Sequence, residues 1–298
     1  MNLVQHRLLP LLAAAALLLA SIDSSAQEAS GTSDADIVFS AGRKMGGYWD
    51  VASRLKAVAA ESGLDVTVVS SVGSVENLNR LTDPDSPFNL TLTQADALKK
   101  YIQEHPRFAN HVEILESIGL ECVFIVASEQ SGIENDQDLQ AEKGYRLAIP
   151  GRDSGVAVTF DYMAELVPGL ANTQPVYTDT LEAMRSFGGP DAPDAIMLVN
   201  RPKVLTTEIQ LALNNPEKYR LIPVEDRHLA DTLPTGEVVY EFLDVPLILR
   251  RGQRDRSVPT ICTKGLLVTS AQKISPEVRK RLEKIIDFQW MRIYPIDR

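Results

Sequence analysis

The chain has 298 residues, 40 acidic against 30 basic side chains, a net charge of −10, 6% aromatic residues and two cysteines. An acidic balance spread along the whole chain excludes nucleic acid or an anionic membrane surface as the partner, because both select basic patches. So few aromatics leave no extended stacking platform for bases or sugars, and the length suits two globular lobes behind an export segment.

Residues 1–26 read as an export signal. His6 and Arg7 give a weakly positive start, Leu8 to Ala20 is an apolar run, and Ser24, Ser25 and Ala26 are small residues ahead of Gln27. A membrane-spanning helix needs about 20 apolar residues, and this run is shorter. The mature chain is therefore expected in the periplasm, with no stable membrane insertion after cleavage.

Asp36 to Ser40 reads as a strand and Gly42 to Gly47 as a glycine-rich turn. Tyr48 to Ser62 reads as a helix with Val51, Leu55, Val58 and Ala59 on one face, stopped by Gly63. Leu64 to Val69 is the next strand. A turn at Ser71 to Ser74 then opens a second helix, and Phe88 to Thr93 is a third strand ending in Gln94 and Asp96. Gln94 to Glu104 reads as a helix ended by His105-Pro106. This strand–helix rhythm is that of a parallel sheet with crossover helices.

Cys122 to Ala127 is a continuous apolar strand, and Tyr145 to Ile149 begins a second α/β unit whose turn, Gly151 to Gly155, opens a helix through Leu166. Asp194 to Asn200 is another strand, broken by Arg201-Pro202. Leu266 to Thr269 is the last, and Ser275-Pro276-Glu277 starts a terminal helix running through Trp290. No flexible linker separates the two units. Glu121 to Ala127 runs from one to the other and Pro259 to Thr269 runs back, so two strands form a hinge with a cleft between lobes. Residues 27–127 with 260–298 make the expected first lobe, and 128–259 the second.

Each candidate site residue has a structural alternative. Gly47 and Tyr48, with Gly46, sit where backbone N–H groups approach a ligand closely, or in an ordinary βα turn. Ser74, with Glu76 and Asn77 on the same first turn, either binds an anion at the positive helix end or caps its own helix. Gln94 reads as a binding side chain, and Asp96 as a cap or an acceptor for a ligand amine. Ser154 and Gly155 repeat the Ser74 design in the second lobe, so two helix starts can converge on one carboxylate. Arg43, Lys44 and Arg152 read as solvated turn residues, and Glu121 as a group pairing across the hinge. The four histidines have no ligand-type spacing, no serine lies in G-x-S-x-G, and no cofactor or metal is expected. An oxidising compartment allows Cys122 and Cys262 one disulfide, but each adjoins an apolar run where a thiol packs as a small hydrophobe, and the unpaired reading leads.

AGRKMGGYWDVASRL, VSSVGSVENLNRL, TLTQADAL, GLECVFIVA, SGIENDQDL and YRLAIPGRDSGVAVTF, in that order, resemble the TAXI family of extracytoplasmic solute receptors. These are the binding subunits of one class of TRAP transporters. The resemblance implies a type II periplasmic-binding-protein fold: two α/β lobes joined by crossover hinge strands. It also implies a small carboxylate ligand such as glutamate or a related dicarboxylate and TRAP membrane permease subunits as partners. The chain is then expected to perform no chemistry; the alternatives are a ligand-binding input of a sensory system or an exported enzyme on a similar two-lobe scaffold. Carried to this chain, the contacts are Gly47-Tyr48, Ser74, Gln94 with Asp96, and Ser154-Gly155 with the following helix start, Val156. The chain departs from the family at Arg43-Lys44-Met45 and at Val156, where a hydroxyl is usual.

Overall fold

The computed structural model describes residues 36–44, 46–247 and 256–294, so the expected signal segment, residues 1–26, lies outside the described residues. The described residues form one compact unit. In chain order the strands and helices are β1 (Ile37–Ser40), α1 (Gly47–Glu61), β2 (Val66–Val69), α2 (Ser74–Thr82), β3 (Leu90–Gln94), α3 (Ala95–Glu104) and β4 (Val112–Ser128). They continue as β5 (Arg146–Ile149), α4 (Gly155–Leu166), β6 (Gln174–Tyr177), α5 (Thr180–Ser186), β7 (Ala195–Asn200) and α6 (Thr207–Asn214). The last are β8 (Tyr219–Ile222), β9 (Tyr240–Leu247), β10 (Arg256–Ser270) and α7 (Pro276–Ile293).

One sheet runs through the molecule in the order β2-β1-β3-β10-β4-β7-β5-β6, with β8 on β4 and β9 on β10. In the first lobe β1 pairs in parallel with β2 and β3, and in the second β5 pairs in parallel with β6 and β7. The short βα units of each lobe thus place their helix starts at one sheet edge. β4 and β10 are the two long strands, antiparallel from Val112↔Ser270 to Cys122↔Cys262. There they part: β4 goes on to pair β7 and β8, while β10 pairs β9.

That parting point corrects the reading of the cysteines. Cys122 and Cys262 face each other in the ladder and form a disulfide, fully buried among Phe124, Val126, Ile196 and Val258. Each apolar run does bury its cysteine, but the antiparallel register puts the two side chains together. The sequence separation of 140 hides this adjacency.

Local signals account for the helix ends. Gly63 stands at φ 68°, just past α1, and Arg281 of α7 donates to the Ser62 and Gly63 carbonyls there. Ser275 accepts from the Val278 N–H to cap α7, with Pro276 in its first turn. The buried face of α1 (Val51, Ala52, Leu55, Val58, Ala59) packs with Leu282, Ile285 and Ile286 of α7 against Phe39 and Leu90. A second apolar cluster joins the lobes: Leu78, Leu81, Ala95 and Leu98 from α2 and α3 pack with Ile149, Ala157 and Phe160 from β5 and α4. Among the described residues no helix is long and apolar enough to cross a membrane.

Candidate functional site

Each of β1, β2 and β3 runs into a helix start, and glycines, Gly46 and Gly73, stand at the first two. α1 begins at Gly46, α2 at Gly73 and α3 at Gln94, and none of these N-cap side chains bonds to its helix. A helix start carries several N–H groups without intrahelical partners and about half a positive charge. The second lobe brings α4 to meet them. A Cβ placed on Gly73 would lie 3.2 Å from the Asp153 carbonyl oxygen, and one on Gly155 would collide with Gln94 Oε1. A side chain at either glycine would crowd this approach, and the two turns expected to face each other do meet.

Between them lies a cavity of about 210 Å³, its wall including Gly47, Tyr48, Ser74, Gln94, Gly155 and Val156, with Arg43 and Glu121 also on it. Gln94 is 3% exposed, and among the described residues its side-chain amide makes no hydrogen bond within the protein. An amide buried without partners is costly, so its place on the cavity wall points to a polar ligand. Ser74 Oγ accepts from the Gln94 N–H at 3.2 Å and fixes that strand end.

Three of the expected residues lie elsewhere. Asn77 is fully buried beneath the cavity, accepting from Ser40 Oγ at 2.7 Å and donating to the Leu92 carbonyl at 2.7 Å. Glu76, not Asn77, completes the α2 cap by accepting from the Val72 N–H at 2.7 Å. Ser154 caps α4 through the Ala157 N–H at 3.1 Å and donates to the Gly151 carbonyl at 2.8 Å, off the cavity wall. Asp96 is fully buried: Oδ1 accepts from the Ala97 N–H at 2.8 Å, and Oδ2 from the Thr159 and Tyr240 hydroxyls at 2.7 and 3.1 Å. Burial pushes its carboxyl up, and those three donors oppose the shift. It fastens α3 to α4 and β9.

Two charged groups on this cleft are absent from the expected set. Glu121 projects from β4 into the cavity wall, where its only hydrogen bond among the described residues is from the Tyr48 hydroxyl at 3.5 Å. Burial, then the negative charge of Asp96, pushes its carboxyl up to about 7, against the pull of Arg201 and Tyr48. The Tyr48 hydroxyl is raised in turn, by burial first and then by Glu121 and Asp96. Arg201 follows β7 and reaches back over α1: its guanidinium would lie 3.0 Å from a Cβ on Gly47 and stands over the Tyr294 ring at 5.1 Å. The next corner holds Lys203 at φ 71°, an uncommon conformation for a side-chain-bearing residue. An arginine at the carboxyl end of a strand is a signal that position alone could have supplied.

The cleft can therefore hold an anionic group at converging helix starts, with an amide, a phenol and a carboxyl beside it. A larger hollow of about 350 Å³ is lined from α6, β8, β9 and β10, and Arg220 and Glu129 on it pair with each other at 2.8 Å.

No family model matches this chain, and no curated protein sequence matches it. Solved structures do. XAC2383 from Xanthomonas citri bound to ATP is similar with a TM-score of 0.50 and 11% identity, over 88% of this chain and 91% of that one. The GluR0 ligand-binding core from Nostoc punctiforme in complex with L-glutamate superposes with a TM-score of 0.45 and 13% identity, over 87% of this chain and 95% of that one. At such identities likeness speaks of the fold alone. Together with the sheet order, the likeness to XAC2383 makes this chain a two-lobed α/β protein of the type II periplasmic-binding fold, with its cavity at the meeting of the lobes.

Proposed function

We propose that the chain is an exported receptor that captures a small organic anion, an amino acid or dicarboxylate, and delivers it to a TRAP-type membrane permease as a TAXI-family binding subunit. In this reading it performs no chemistry. The observation that carries it is the convergence of the glycine-led starts of α1 and α2 and the unpartnered Gln94 amide on one small cavity. A volume of about 210 Å³ is below the range of drug-sized sites and suits a ligand of few heavy atoms. The TAXI assignment rests on the ordered motifs around Gly47, Ser74, Gln94 and Gly155. A buried disulfide fits export to an oxidising compartment.

A thermal-shift screen of small carboxylates and amino acids tests the reading. A true ligand at 100 times its Kd stabilises by about 2.7 kcal/mol. Gln94→Leu is expected to fold and to lose that stabilisation. Turnover of the ligand, or stabilisation undiminished in Gln94→Leu, overturns the assignment.

A further inference from the structure

Glu121 and Asp96 are neighbouring carboxylates with opposite surroundings. Asp96 has three hydrogen-bond donors and no place on the cavity wall. Glu121 is on that wall and has one donor, the Tyr48 hydroxyl at 3.5 Å. An ionised carboxylate offers about four acceptor sites, and leaving most of them unfilled in a partly buried place is costly.

The groups around it do not supply what is missing. α1 presents Tyr48 and α3 presents Asp96, which repels. Arg201, beyond β7, attracts Glu121, yet makes no ion pair with it within 4 Å. On β10 the residue opposite is Thr263, and the adjacent Lys264 is engaged by Glu241 of β9 at 3.4 Å. Arg43 stands at the exposed rim. The rest of the wall is electropositive, because helix starts line it.

We propose that Glu121 is the specificity-determining residue of the cavity, accepting from an ammonium group of a ligand whose carboxylate lies at the helix starts. This rests on the receptor reading above and goes further: it separates carboxylates that carry an amine from those that do not. An amine-bearing ligand supplies the missing donors and favours ionised Glu121. An amine-free anion meets a like charge unless Glu121 holds a proton, so its binding takes up a proton and weakens as pH rises.

The test uses the mature chain and three matched probe pairs: L-glutamate and glutarate, L-aspartate and succinate, L-alanine and propionate. Titration calorimetry at about pH 8 is expected to favour the amine-bearing member of the pair that binds by about tenfold or more. In Glu121→Gln that ratio falls towards one through lost affinity for the amine-bearing probe, while Glu121→Asp keeps its sign. Amine-free binding to the wild type weakens from about pH 6 to about pH 8, and in Glu121→Gln that dependence is gone. Thermal unfolding checks that both variants fold. An unchanged ratio in Glu121→Gln, or a wild-type preference for amine-free probes, overturns the proposal and leaves the receptor reading standing. No stabilisation by any carboxylate overturns both.

Discussion

Glu121 sits at the hinge with its carboxyl raised to about 7, and the sign of its effect on stability follows from that value. In the unfolded chain the group has its ordinary pKa of about 4.3, so between the two values the native state holds more proton than the unfolded one. Stability from this group is complete below the lower value and is lost as pH rises towards 7. Denaturant unfolding followed across that window is expected to show a decline on the order of 3 to 4 kcal/mol in the wild type that Glu121→Gln abolishes. Asp96 obeys a different logic, because its Thr159 and Tyr240 donors become buried orphans without it. Asp96→Ala is expected to cost about 3 kcal/mol by the same measurement. Neither fate is legible in the sequence. Asp96 and Tyr240 are 144 positions apart, and a polar residue at a strand end reads alike whether it meets ligand or its own fold.

The helix starts were the most legible elements. Gly63, Ser74, Ser154, Ser275 and Pro276 each mark an end by local chemistry, and the described helices begin or stop there. What local chemistry could not assign was the partner of each cap. Ser154 satisfies its own helix, so Ser154→Ala is expected to cost about 1 kcal/mol in unfolding and to leave ligand affinity nearly unchanged. Gly155 carries the opposite expectation. Gly155→Ala drives a methyl into the Gln94 amide, so ligand-induced stabilisation falls sharply while the free chain still unfolds cooperatively. Elements without strong punctuation escaped the sequence. α5 and α6 have 7 and 8 residues, too short for a clear period, although Asp179 and Thr206 do cap them. The first half of β4, VEILESIGLE, alternates only loosely and is half-exposed, so only its continuous apolar end was readable.

At the scale of the molecule, the two lobes are fastened behind the cleft as well as hinged. The shared apolar cluster between α2, α3 and α4 is reinforced by Lys99–Asp231 at 3.2 Å and by the Lys100–Glu165 pair. Opening wide enough to admit ligand must loosen that seam. Closure in solution scattering is therefore expected to be tighter in the wild type than in Lys99→Ala/Lys100→Ala at low salt, and the difference to shrink as salt screens the pairs. The disulfide pins the point where β4 and β10 part. Cys122→Ala with Cys262→Ala is expected to cost about 3 kcal/mol in thermal or denaturant unfolding.

The same bond also sets an order in time. Its two cysteines are 140 positions apart, so a chain emerging from its N-terminus presents Cys122 long before its partner exists. For all that interval Cys122 is a solitary thiol, open to capture by whatever oxidant or stray cysteine it meets. The correct bond forms only once Cys262, 140 residues later, has emerged and β10 has slotted in beside β4. β10, the last of the described strands, therefore both closes the described sheet and retires the thiol.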